Sequence, residues 1–290
     1  MEDLTLRSDL FNNIKFNMQK LILDVPEDDA VWLGHIFGES KEAVKQVIDD
    51  CKNVVKSQAE KLKKEMDIPH IENEKTIAFI GDSITSDRCS YLNILRELYK
   101  ECEDVSFVDA AISGDKSDDA VMKFYIRCMN FKPDVVHILI GTNDLRHNDD
   151  KNGMSALSLH DYRRNLSYMI HVLKEAGIPV VVSQISPVMN ERLKKRFPED
   201  NWKYVYDEIK ELNKIVCEVA EESGAKVNAM EKIYAQYEAG ELLLQDGLHL
   251  NEKGQYLLAK NVLESLREYM YEEIMGEKKN SVIKTIFKSK

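Results

Sequence analysis

The chain has 290 residues, 43% hydrophobic and 31% charged, which is enough apolar material for one large domain with an accessory segment. Lys+Arg 40 against Asp+Glu 51 sets a formal net charge of -11 and excludes nucleic-acid binding as the main task. The five cysteines form no Cys-x-x-Cys pair, and neither a signal-peptide pattern nor an apolar run of ~20 residues occurs, so a cytoplasmic protein with reduced thiols is expected.

Residues 1–73 read as a helical extension. After Ser40, a fitting N-cap, Val44, Val47, Ile48, Cys51, Val54, Val55, Leu62 and Met66 recur mostly at three- and four-residue steps, which predicts a long amphipathic helix. Its stripe packs either on the downstream domain or on a second copy in a homo-oligomer, because periodicity does not name the partner. Pro69 and Glu72-Asn73-Glu74 mark the boundary to a domain over residues 74–272.

That domain alternates. Thr76-Ile77-Ala78-Phe79-Ile80 reads as a buried strand ending abruptly in Gly81-Asp82-Ser83, and Ser90–Lys100 as the helix that follows. Further strands are predicted over Val105–Ile112, Asp134–Ile140, Val180–Ile185 and Ala225–Met230. Helices are predicted over about Ser117–Met129, His160–Ala176, Lys203–Ser223 and Lys253–Glu272. Five strands alternating with helices predict an α/β fold with a parallel sheet covered on both faces. Ligands bind such sheets outside the carboxyl ends of the strands, where Gly81-Asp82-Ser83, Ser113-Gly114 and Gly141-Thr142-Asn143-Asp144 all fall.

A serine hydroxyl needs a base to become a nucleophile, and the base is usually a histidine oriented by a carboxylate. Two histidines follow an aspartate by three residues: His147 after Asp144, and His249 after Asp246. Spacing does not choose between them; the place of His249, between the last strand and the last helix, favours it as partner of Ser83. Donors for a developing oxyanion are available at the same edge from the turn at Ser83, the Gly114 N–H and the Asn143 amide. Asp82, Arg146 and His147 are candidates for a substrate rim, whereas His137, inside an apolar strand, reads as a satisfied core histidine.

These blocks together resemble the SGNH hydrolases, also called GDSL-type esterases and lipases. Gly81-Asp82-Ser83-Ile84-Thr85 resembles the family's first block, Gly114 the glycine block, Gly141-Thr142-Asn143-Asp144 the asparagine block, and Asp246-Gly247-Leu248-His249 the last. The resemblance covers roughly residues 75–270 and implies a three-layer α/β/α flavodoxin-like sandwich. It implies Ser83 as nucleophile, His249 as base and Asp246 as its orienter, with Ser83 N–H, Gly114 N–H and Asn143 as the oxyanion hole. It also implies no metal or organic cofactor, and hydrolysis of acyl esters of sugars, lipids or small molecules. The resemblance decides for His249 over His147. An α/β-hydrolase elbow fits less well, because Thr85 stands at its second glycine position.

The alternatives are a catalytically inactive ligand-binding module on the same scaffold, and a nucleotide-binding domain, for which a Gly-rich phosphate loop is missing after the first strand. Glu191–Arg196 forms a charge run near the active edge, read as a solvated face or as a site for an anionic substrate. The basic tail, residues 273–290, reads as a loosely docked end, with contact to an anionic membrane as the alternative.

Overall fold

The structure is a computed structural model that describes residues 28–71, 73–148 and 153–271. The basic tail and the first 27 residues therefore lie outside the described residues. Two helices precede the sheet, α1 (Ala30–Phe37) and α2 (Lys41–Glu65). Asp29 caps the first by accepting from the N–H groups of Val31 and Trp32, and Ser40 caps the second by accepting from Ala43.

Five strands follow: β1 (Lys75–Gly81), β2 (Val105–Asp109), β3 (Val135–Leu139), β4 (Val180–Ser183) and β5 (Lys226–Asn228). All pair in parallel, in the order β2-β1-β3-β4-β5. Between β1 and β2 run α3 (Ser83–Ser86) and α4 (Tyr91–Leu98); α5 (Ser117–Arg127) leads to β3 and α6 (Leu159–Glu175) to β4. Before β5 come α7 (Asn190–Arg196) and α8 (Tyr206–Ser223), and after it α9 (Met230–Tyr234), α10 (Ala239–Leu242) and α11 (Glu252–Tyr271).

Parallel neighbours require crossovers, and right-handed crossovers put the helix on opposite faces when the chain changes direction across the sheet. The path from β1 to β2 runs one way; the paths from β2 through β3 and β4 to β5 run the other. Accordingly α4 packs with α2 and α11 on one face, while α5, α6 and α8 pack together on the other. Every residue of β3 and β4 is buried, as continuous apolar runs between two helical layers require, whereas the edge strands β2 and β5 are only partly buried. The expected α/β/α sandwich is thus the fold.

Strands end earlier than their apolar runs. Val105–Ile112 was expected to be a strand throughout, but β2 stops at Asp109 although Ala110 and Ile112 still donate to Phe79 and Gly81 carbonyls. The α2 stripe is buried within the chain itself, through Val44, Ile48, Cys51, Val55, Ala59 and Leu62. Ala59 and Leu62 join the main core, and Val44 and Ile48 form a smaller one with Leu33. Asp28 pairs with Lys52 and with Arg88 of the segment after α3, and Lys260 of α11 pairs with Glu65. Among the described residues, no helix is long and apolar enough to cross a membrane.

Candidate active site

Strand order reverses at β1, so a crevice opens beyond the carboxyl ends of β1 and β3, and the chain leaves those strands through Asp82-Ser83 and through Gly141–Asp144. Ser83 opens α3 directly after the strand. Asp82 is its N-cap and accepts from the Ile84 N–H at 2.9 Å, which leaves the Ser83 N–H outside that cap. A chain of buried polar groups lies beneath. Thr85 Oγ1 meets the Tyr91 hydroxyl at 3.0 Å, that hydroxyl meets His137 Nδ1 at 3.0 Å, and His137 Nε2 meets Ser183 Oγ at 2.7 Å. Asn228 then donates to Ser183 Oγ, so the series runs from α3 and α4 across β3 and β4 to β5. Burial pushes His137 down to about 3, so it is a neutral, satisfied core histidine, as expected.

The last block arrives between α10 and α11. Asp246 Oδ1 accepts from the N–H groups of Leu248 (2.8 Å) and His249 (3.0 Å), folding the turn around its own carboxylate. Gly247 sits at φ +75° with the Met189 carbonyl 2.5 Å from where a Cβ would stand, so only glycine fits there. The turn leaves Asp246 Oδ2 free to accept from His249 Nδ1 at 2.6 Å, and His249 Nε2 then faces Ser83 Oγ at 2.8 Å. Burial disfavours the charged imidazole, but the Asp246 carboxylate outweighs it and the pKa of His249 lies above its ordinary value.

Gly114 adopts φ +78° at the turn closed by the Asp115 N–H and the Ile112 carbonyl. The Asn143 amide donates one hydrogen to the Asp115 carbonyl at 3.1 Å, joining the asparagine block to the glycine block. Asp144 accepts from both the N–H and the hydroxyl of Ser117 at the start of α5, and Asn165 Nδ2 donates to the same hydroxyl.

The rim candidates separate. Asp82 is buried beside the His249 charge, and burial pushes its carboxyl up to about 7. His147 turns away from Ser83: its Nδ1 donates to the Gly153 carbonyl and its Nε2 lies 2.7 Å from Glu208. Arg146 lies over the Trp202 ring, 4.7 Å from its centroid. Asp87, which no spacing singles out, is also buried, accepts from the Cys89 N–H and acts electrostatically on His249. Gln255 of α11 was also missed; it ties the Ile84 carbonyl to the Tyr91 N–H and so fixes the turn after Ser83. The charge run Glu191–Arg196 is helical, and Arg192 donates to the Gly240, Leu243 and Leu244 carbonyls.

A family model described as the GDSL-like lipase/acylhydrolase family matches residues 79–257. The chain belongs to this family. Accordingly, this GDSL-like protein is a carboxylic ester hydrolase. Among solved structures, it is similar to a lipase/acylhydrolase from Enterococcus faecalis, with 26% identity, 67% of this chain and 96% of that one covered, and a TM-score of 0.55. It shares the fold of an acetyl xylan esterase, AlAXEase, at 19% identity over 66% of this chain and 99% of that one, with a TM-score of 0.55. The same holds for an acetylxylan esterase from Geobacillus stearothermophilus, at 18% identity, 70% and 97% coverage and a TM-score of 0.55. No curated protein matches the chain.

Proposed function

We propose that the protein hydrolyses carboxylic esters through a covalent acyl-enzyme on Ser83. The reading rests on one observation: an unbroken hydrogen-bond series from Ser83 Oγ through His249 to Asp246, at 2.8 Å and 2.6 Å. With Nδ1–H donated to Asp246, Nε2 is the acceptor that takes the Ser83 proton as Oγ attacks the ester carbonyl. The oxyanion is met by the N–H groups of Ser83 and Gly114 and by the second amide hydrogen of Asn143, the first being held by the Asp115 carbonyl. His249 then returns its proton to the leaving alcohol, and water, activated by the same base, releases the acid. No metal or organic cofactor enters these steps. Acyl esters of sugars, lipids or small molecules are the substrate class; the fold shared with acetyl xylan esterases supports short acyl groups on carbohydrate as a first series to assay.

Turnover of p-nitrophenyl acetate that disappears in Ser83→Ala is the expected result. Intact mass after treatment with a fluorophosphonate should show one adduct, absent from Ser83→Ala. A folded protein that binds acyl esters yet shows neither turnover nor adduct is instead an inactive binding module on this scaffold.

A further inference from the structure

Seven buried side-chain atoms among the described residues have no hydrogen-bond partner, and they are not scattered. Gln58 Oε1 and Tyr256 OH belong to α2 and α11. The other five are Asp82 Oδ2, Thr142 Oγ1, Arg146 Nε, Ser186 Oγ and Tyr204 OH. Asp82 follows β1, Thr142 and Arg146 follow β3, and Ser186 follows β4, so these belong to the carboxyl edge that carries Ser83. Burying a polar group without a partner is costly, and a cluster of such groups at one edge marks a place completed by water or ligand.

Arg146 is the cationic member. Other part-buried arginines are occupied: Arg88 pairs with Asp28, Arg96 donates to Asn93 and the Phe107 carbonyl, and Arg267 pairs with Glu264. The Arg146 guanidinium forms no ion pair among the described residues and lies over Trp202, whose ring also packs against Phe197 at 5.0 Å between centroids. Its position is fixed from below. His147 and Lys203 exchange two backbone hydrogen bonds, at 2.9 and 3.1 Å, which lock the segment after Asn143 to the one carrying Trp202 and Tyr204. Burial raises the Tyr204 phenol, the Arg146 charge lowers it, and Asp82, Asp246 and Asp144 raise it, so that hydroxyl lies in the field of Arg146 and of the site's acids together. An arginine held by stacking, with its Nε unpartnered and no ion pair among the described residues in a chain of net charge -11, is a preorganised anion site.

Resting on the reading of Ser83 as nucleophile, we propose that Arg146, presented on Trp202 three residues after Asn143, binds an anionic group of the ester substrate, a carboxylate or phosphate on its acyl or its alcohol side. The anion exchanges its hydration for the guanidinium fork while the scissile carbonyl lies at Ser83. Arg192 of α7 cannot take that part, because three main-chain carbonyls already hold it.

Two matched pairs of esters test this: 4-nitrophenyl monoglutarate against 4-nitrophenyl valerate for the acyl side, and 3-acetoxypropionate against propyl acetate for the alcohol side. In wild type at least one pair should favour its anionic member through KM. Arg146→Gln should lower kcat/KM for that member roughly 10- to 100-fold more than for the neutral one, and Arg146→Lys should fall between. No preference in either pair, or an equal loss for both members of each pair, overturns the proposal; unchanged Tm in the variants shows that folding is not the cause. Absence of Ser83-dependent turnover on all four esters sinks the nucleophile reading instead. The anion site is then read separately, by titrating glutarate and 3-hydroxypropionate into Ser83→Ala with and without Arg146→Gln. Binding weakened by the second substitution sustains the site, and binding indifferent to it, or absent, overturns it.

Discussion

Asp144-x-x-His147, after β3, and Asp246-x-x-His249, between α10 and α11, have the same spacing, yet they end in opposite arrangements. In the second, the aspartate meets its own histidine at 2.6 Å. In the first, Asp144 spends its carboxylate on the N–H and hydroxyl of Ser117, and His147 finds Glu208, 61 residues away in the chain. The difference lies in the turn between them. Gly247, at φ +75°, lets the Asp246 turn close so tightly that one oxygen binds the main chain and the other stays free for the ring. Leu145, fully buried, instead carries His147 away from Asp144 and into the bridge with Lys203. An Asp-x-x-His spacing therefore specifies proximity in sequence, and the backbone torsion between the two residues decides whether they become a pair.

The largest expected effect separates the two histidines. His249→Ala should lower kcat by at least ~10⁴-fold on any ester that wild type turns over, because the proton of Ser83 loses its acceptor. His147→Ala should cost less than about tenfold, acting through the loop that carries Arg146 and not through the proton. Comparable losses in the two variants would mean that the second pair also acts on Ser83.

The aspartates sharpen the contrast. Asp246→Asn keeps the shape but offers an amide where His249 Nδ1 needs an acceptor, so kcat should fall about 10²–10⁴-fold with Tm little changed. Asp144→Asn should do the reverse: lose about 1–3 kcal/mol of stability as the cap on Ser117 weakens, with kcat reduced less than tenfold. Thermal melts and steady-state rates on the same preparations compare the two directly.

Sheet and helices were legible because they depend on local signals, apolar runs of strand length and three- and four-residue periodicity; the Ser83 series, whose members lie 166 residues apart, was legible through the resemblance of four ordered short blocks to a known family. What escaped depends on contacts distant in sequence. Gln255 reaches Ile84 and Tyr91 across 164 residues or more, and nothing near it announces a role. Trp202 and Tyr204 sit in a segment without periodicity and join the site only through the bridge to His147. The charge run around Arg192 is exposed at Glu191, Lys194 and Lys195, in line with its reading as a solvated face, but the Arg192 donors close the protein's own carbonyls. Charge is readable from sequence; whether it is already spent is not.

The smallest effect concerns pH, where activity and stability should move oppositely. His249 acts as a base only when neutral, and its pKa lies above the ordinary 6.5, so kcat/KM should fall as pH drops through that raised value. Because the folded form holds this proton more tightly than the unfolded chain, its contribution to stability is complete below 6.5 and is lost as pH rises through the folded pKa. Asp82, raised by burial from 3.8 to about 7, adds to the same decline up to that pH, and His147, which Glu208 raises against its burial, also contributes. His137 works against them mainly below 6.5: buried neutral with a pKa of about 3, it stays unprotonated where the unfolded chain gains a proton. The clean window is therefore above pH 6.5. From there to pH 8 Tm should drop by a few degrees while kcat/KM rises toward a plateau, and Asp82→Asn, which removes one titrating carboxyl, should flatten the first part of the Tm decline and leave the His249 limb in place. A kcat/KM that is level from pH 5.5 to 8, with chemistry limiting, would remove His249 as the base.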